Sequence, residues 1–303
     1  DNPRYAEIVG VCNGVIVSYS NKGNGDWQAI SLPFPLFDKR EWGSFEFLKE
    51  DGHITPKTIT VTRKTNGILC VLYWHSGEWR LASRFSPDAS EALQIGGKSV
   101  DKEERRILNS IFWERWRAKG YRLPPAPSFR GGEGGFCSFL FQFETSRIGV
   151  FSGCEEEEGE KYKESIVLLG VSSSELPSAL YKEGEMGWYE AWAKSEEVCG
   201  GESDWTGWVD ELELQNPLKC SGLVVKVTET ADLGQHPIDA LWFHSDRRST
   251  RFYVIDNPRA KNLELSLKEL KKEPSELTVV NLLRSIIHPL LQPLVLSSCQ
   301  FLL

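Results

Sequence analysis

Arg130-Gly131-Gly132-Glu133-Gly134-Gly135 is a glycine-dense stretch of the kind that could wrap a phosphate. A phosphate cradle also needs a Gly-Lys-Ser/Thr ending to reach the terminal phosphates. That ending is missing, so the stretch reads as a flexible turn. The histidines His53, His75, His236, His244 and His288 show no spacing of the His-Glu-x-x-His kind, and no metal is assigned. Cys12, Cys70, Cys137, Cys154, Cys199, Cys220 and Cys299 are scattered without a Cys-x-x-Cys pair, which points to a reduced compartment and no structural zinc. Lys64 stands just before a Thr65-Asn66-Gly67 turn. A lysine with the ordinary pKa of about 10.4 is protonated at neutral pH, so its amine attacks an electrophile only where the surroundings free the lone pair. On its own neighbours, Lys64 reads as a solvated hairpin lysine.

The elements that would position such residues are mostly strands. Glu7 to Tyr19 is rich in Val and Ile with glycine punctuation, and Trp27 to Leu32 gives a short strand running into a proline-limited segment. Thr58 to Val61, Ile68 to Trp74 and Trp79 to Ser83 read as a meander, with turns at Thr65-Asn66-Gly67 and Ser76-Gly77. Between Asp101 and Gly120 the apolar Ile107, Leu108, Ile111, Phe112 and Trp116 recur at helical spacing after an acidic first turn. Further strands are expected at Phe136 to Phe143, Ile166 to Gly170, Gly222 to Thr228 and Arg251 to Ile255. Glu155 to Glu158 reads as a solvated tip, and from Leu263 onward a helical pattern is broken by Pro274, Pro289 and Pro293.

Composition bounds what these elements can do. The 303 residues are 40% hydrophobic and 26% charged, ordinary globular usage, enough for a large α+β domain with an appendage. A net charge of −8 argues against holding nucleic acid by a general positive field, so any RNA contact must be local. No run of 18 or more apolar residues is present, so no membrane span is expected. The first residues lack the basic and apolar regions of a secretory signal, which points to an intracellular protein. A chain that starts with Asp1 fits leader removal and import into a mitochondrion or plastid. Of the 11 tryptophans, Trp188, Trp192, Trp205 and Trp208 cluster between Glu185 and Trp208. Core packing is the default for them, and with the apolar tail Leu290 to Leu303 they also suggest a surface for partner chains.

The order of five short segments resembles the RNA ligases of the phage type and their fungal tRNA ligase branch, over roughly residues 7 to 260. That family opens with Cys-Arg-Gly and then Arg-Pro-x-x-Lys-Phe-Phe-Asn. The corresponding residues here are Cys12-Asn13-Gly14 and Leu32-Pro33-Phe34-Pro35-Leu36-Phe37-Asp38-Lys39, so Asn13 and Leu36 replace basic residues. Its nucleophile motif, Lys-x-Asp/Asn-Gly, matches Lys64-Thr65-Asn66-Gly67, and its Ser-Lys-Gly becomes Ser83-Arg84-Phe85. Phe-Glu-Phe followed by Asn-Arg-Ile-Val becomes Phe139-Leu140-Phe141 followed by Ser146-Arg147-Ile148-Gly149-Val150. Glu-Gly-x-Val becomes Ser221-Gly222-Leu223-Val224, and Phe-Lys-x-Lys becomes Phe252-Tyr253-Val254-Ile255. Each motif alone is weak; their shared order carries the resemblance.

The resemblance implies an α+β, antiparallel-sheet nucleotidyltransferase domain of the ATP-grasp-like ligase kind over residues 1–260, with a helical C-terminal tail over 261–303. It also implies Lys64 beside a hairpin next to the strand of Leu140, with Arg84 on the same sheet system. In such ligases a lysine attacks the α-phosphate of ATP, two carboxylates hold metal and ribose, and late lysines neutralise the transferring phosphate. Losing one such contact typically costs about 100- to 1000-fold in rate. With Leu140, Ser221, Tyr253 and Ile255 in the helper positions, the expectation is a catalytically inactive relative that needs no cofactor. It would serve as a structural or RNA-contacting subunit of a larger, organellar ribonucleoprotein assembly, with protein partners and no DNA. Lys64, Arg84 and Arg147 are its candidate nucleotide or RNA contacts. The alternatives are a divergent ligase forming lysyl-AMP at Lys64 with ATP and Mg²⁺, in which Glu144 or Glu133 has taken over a lost role, and a module that keeps RNA-end or nucleotide recognition without chemistry.

Overall fold

A computed structural model describes residues 14–20, 26–32, 34, 37–41, 58–64, 67–93, 106–130, 135–144, 165–182, 184–195, 221–228, 236–243, 250–258, 260 and 262. The chain divides into two compact units, one from residues 1–36, 66–200 and 228–251, the other from 37–65, 201–227 and 252–303. The fold is mixed α+β and mostly sheet, with two α-helices among the described residues. The tail over 261–303 lies outside them apart from Asn262.

The first unit is organised by a five-stranded sheet in the order β12-β10-β9-β5-β6. These strands are β5 (Ile68–His75), β6 (Glu78–Ser83), β9 (Cys137–Glu144), β10 (Ser165–Ser173) and β12 (Trp242–Phe243). β5 and β6 are joined through Ser76 and Gly77, whose φ angles of 52° and 83° are both positive. That is the twist a two-residue hairpin needs, and glycine at the second position adopts it without strain. Beside this sheet lie the ribbon of β1 (Ile16–Ser20) with β2 (Asp26–Ser31) and the short pair β7 (Ala92–Leu93) with β8 (Arg106–Ile107).

β9 is buried along almost its whole length, so its two faces must both be covered. Phe139, Phe141 and Phe143 alternate onto one face and meet two helices, α1 (Leu108–Ala118) and α2 (Gly187–Ser195). Phe112 of α1 packs 5.8 Å from Phe143 and 5.7 Å from Trp116, and Trp116 packs edge-on 5.1 Å from Trp192 of α2. Such aromatic contacts add to the burial of large rings. α1 ends at Gly120, φ 70°, where the N–H groups of Gly120 and Tyr121 donate to the carbonyls of Arg117 and Trp116. This pair of bonds satisfies the last carbonyls and requires a left-handed residue at glycine's place.

The second unit is built round a four-stranded sheet in the order β3-β13-β11-β4: β3 (Asp38–Arg40), β4 (Thr58–Arg63), β11 (Gly222–Thr228) and β13 (Thr250–Asp256).

Several expectations need correction. The sheets are not purely antiparallel: β10 pairs with β12, and β13 with β3, in parallel. Ile107 does not belong to the helix but pairs with Ala92 in a strand and is half exposed, and the first turn of α1 holds no acidic residue. Trp188 and Trp192 are core residues of α2 and not exposed anchors; Trp205, Trp208 and Leu290 to Leu303 lie outside the described residues.

Phe112 is fully buried among four aromatic rings. Phe112→Ala should therefore lower stability by about 3–5 kcal/mol in equilibrium denaturant unfolding. A loss below ~1 kcal/mol would show that the cluster closes over the missing ring and does not hold the unit together.

Candidate functional site

Three of the five segments that carry the resemblance meet at one end of the second unit's sheet. Lys64 follows directly on β4, and its backbone N–H donates to the Gly222 carbonyl at 2.8 Å. Two residues back, Thr62 Oγ1 donates to the Val224 carbonyl at 3.3 Å, so β4 and β11 run in opposite directions with Lys64 opposite Gly222. On the other side of β11, the Asn257 N–H donates to the Ser221 carbonyl at 3.0 Å. Gly222 is needed where it stands, because a Cβ there would come within 2.5 Å of the Ile255 carbonyl oxygen.

Lys64 reaches across the middle strand to Asp256 at the end of β13. Its Nζ donates to Asp256 Oδ1 at 2.6 Å, in a pair that is more than a third exposed on both sides. Exposed pairs of this kind stabilise by roughly 0.2–1 kcal/mol, so the contact matters for where the ammonium points more than for folding. Ser221 Oγ donates to the Lys64 carbonyl at 3.1 Å. A neutral hydroxyl thus fastens the backbone of Lys64.

Side chains alternate along a strand, so the face of β13 that presents Asp256 to Lys64 also carries Val254, while Ile255 and Tyr253 lie on the opposite face. Both are buried, Ile255 completely. Arg40 of β3 lies with its guanidinium 5.4 Å from the centre of the Tyr253 ring. Asp256 and Arg40 were not anticipated from the sequence. Asp256 sits one place beyond the motif, and Arg40 is brought in by a parallel pairing that no local pattern announces.

Lys226 was also missed. It lies on β11, buried to 7% exposure, and its burial pushes the amine down from 10.5 to about 8. A lone lysine inside Leu223-Val224-Val225-Lys226-Val227 was the available signal.

In the first unit, Leu140 is fully buried on β9, on the face away from Phe139 and Phe141, where its neighbour Ser138 donates from Oγ to Ser31 Oγ at 3.0 Å. Arg84 is exposed after β6, with its guanidinium 5.7 Å from the centre of the Phe85 ring. Ser83 Oγ accepts the N–H groups of Phe85 and Ser86 and donates to Glu91. β5, β6, Leu140 and Arg84 therefore belong to one sheet system, as expected. Lys64 belongs to the other unit, contrary to the expected placement beside Leu140. The physical reason is that its described hydrogen bonds run to β11 and to Asp256 of β13. Glu144 Oε2 accepts a hydrogen bond from Ser165 at 3.2 Å. Asn13, Leu36, Glu133 and Arg147 lie outside the described residues.

Two further groups bear on chemistry. The thiols of Cys70 and Cys137 are buried, and burial pushes Cys137 up to about 12 and Cys70 higher still, so neither serves as a nucleophile. Among the described residues no cluster of three or more His, Cys, Asp or Glu side chains could hold a metal. No helix there is long and apolar enough to cross a membrane. A scan of known protein families and a search of curated proteins found no match for the chain.

Lys226 gives the second unit a measurable pH dependence. Between about 8 and 10.5 the unfolded lysine holds a proton that the folded one has released. Stability should therefore rise with pH across that window, by about 3 kcal/mol in total. Lys226→Met should remove the rise, as read from unfolding free energies at pH 8 and pH 10. An unchanged slope in the variant would assign it to other groups.

Proposed function

We propose that this chain is a nucleotidyltransferase-like relative of the RNA ligases that does not transfer nucleotides, and that it serves as a structural, RNA-contacting subunit of a larger assembly. One observation carries the proposal: the ammonium of Lys64, at the family's nucleophile position, is engaged by the Asp256 carboxylate at 2.6 Å. A lysine that attacks a phosphate must present a free amine to a site rich in positive charge. Here the side chain across the sheet is a carboxylate instead.

The surrounding replacements support the same reading. Leu140 and Ile255 stand fully buried where the family has charged side chains, and an unpaired charge placed in such apolar surroundings is strongly disfavoured. The convergence of Lys64, Ser221-Gly222 and β13 supports the family likeness itself, since three motifs far apart in sequence come to one place. For RNA contact the support is Phe85, 82% exposed with the Arg84 guanidinium near its ring. Bases stack on exposed rings without regard to sequence, and a neighbouring cation strengthens the stack. Trp27, 70% exposed and 4.9 Å from the Tyr19 ring, supports a further contact surface on the β1–β2 ribbon.

Incubation of the purified protein with α-labelled ATP and Mg²⁺ should leave no covalent label on the chain after denaturation at neutral to alkaline pH, where a lysyl-AMP phosphoramidate is stable. Label that appears on this protein and vanishes in Lys64→Ala would establish a working ligase and sink the proposal.

A further inference from the structure

β6 forms one edge of the first unit's five-stranded sheet, and the opposite edge, β12, is only two residues long. The two-residue turn at Ser76-Gly77 makes His75 and Glu78 a pair that exchanges both backbone hydrogen bonds, and such pairs recur at every second residue of an antiparallel ladder. Arg80 opposite Tyr73 and Ala82 opposite Val71 are bonded to β5 in the same way. The N–H and C=O groups of Trp79, Leu81 and Ser83 therefore point out of the sheet. Ser83 agrees with this, because its N–H donates to the Ser86 carbonyl at 2.9 Å, in the loop beyond the edge. Among the described residues, Trp79 and Leu81 have no backbone partner on that side. A cleft of about 330 Å³ lies there instead, lined by Trp79, Arg80 and Leu81 and by Asn109 and Trp113 of α1.

An edge with unpaired backbone groups is a template for another strand, and charges of one sign along an edge keep a second copy away. β6 carries both signs. Glu78 and Arg80 share one face of the strand, with side chains 62% and 45% exposed. Two such strands laid antiparallel about Trp79 set Glu78 of each copy directly opposite Arg80 of the other. In that register the outward N–H and C=O groups of the two Trp79 residues bond to each other, and their indoles lie side by side. Centring the pair on Arg80 would set two guanidiniums face to face, which opposes pairing. Centring it on Leu81 would bring Trp79 opposite Ser83, whose N–H is already given to Ser86.

We infer that β6 is a self-docking edge: two copies of the chain pair their β6 strands antiparallel about Trp79, which joins the two five-stranded sheets into one and matches Glu78 with Arg80 across the seam. Within one chain Arg80 Nη2 donates to Glu78 Oε1 at 2.6 Å, an exposed contact of little worth, so both charges turn to a second copy at small cost. A single strand edge buries little area, which makes the association weak and dependent on concentration. The inference holds whether or not the chain transfers nucleotides, because it uses none of the residues around Lys64.

Sedimentation equilibrium of the whole protein should show a monomer–dimer equilibrium with a dissociation constant between ~10 µM and ~1 mM. Glu78→Arg and Arg80→Glu each place like charges across the seam, and each should weaken self-association at least about fivefold. Both side chains are largely exposed, so both variants should fold, with thermal unfolding as the check. An equimolar mixture of the two variants should associate as tightly as the unchanged protein, because every introduced charge then faces its opposite. The inference is overturned if the unchanged protein is monomeric at ~1 mM, if either folded variant dimerises as tightly as the unchanged protein, or if the mixture associates no better than each variant alone.

Discussion

A strand that is buried on both faces cannot carry charge on either, and β9 is such a strand. Phe139, Phe141 and Phe143 lie against Phe112, Trp116 and Trp192 on one face, and Ser138 and Leu140 lie on the other without access to water. A carboxylate at position 140 would need a metal or a cation to offset its desolvation. Once leucine stands there, the same position contributes packing. Burial on both faces and an apolar side chain at 140 are thus one constraint seen from two sides.

In the second unit the governing constraint is steric. Gly222 lets β13 come close to the middle strand, and Lys64 on one neighbour pairs with Asp256 on the other. Any side chain at 222 would press on the Ile255 carbonyl, and the sheet would have to open to admit it. Ser221 adds a hydrogen bond to the Lys64 backbone, so the backbone of this segment is held by neutral contacts.

How much of this was legible in the sequence follows from the range of each interaction. The hairpin of β5 and β6 and the strand from Cys137 through Glu144 were readable because alternation and Ser76-Gly77 turn chemistry are local, but the expected meander fails at its first strand, since β4 lies beside β11 in the other sheet. Ile107 was misread because its spacing fits the helix, whereas its backbone is taken by Ala92, a partner no helical pattern contains. The parallel edges formed by β12 and β3 were invisible, since each is two or three residues long and is defined wholly by a distant strand. At the candidate site, Lys64 and Ser221 could be found by motif. Asp256 could not, because what selects it is which face of β13 turns towards Lys64, and a motif written along the chain does not contain that.

Tryptophan shows the same limit of composition. A count of indoles cannot separate a core from a docking face, because the residue suits both. What separates them is where each N–H finds an acceptor and which ring face stays open. Trp192 donates to the Arg122 carbonyl and is enclosed by Trp116, Trp188, Phe139 and Phe141, so nothing of it is left to bind with. Trp79 also donates to a backbone carbonyl, that of Pro124, yet it lines a cleft with Tyr73 and Trp113. Its hydrogen bond fixes the ring before any ligand arrives. A wall held in this way has little conformational freedom left to lose.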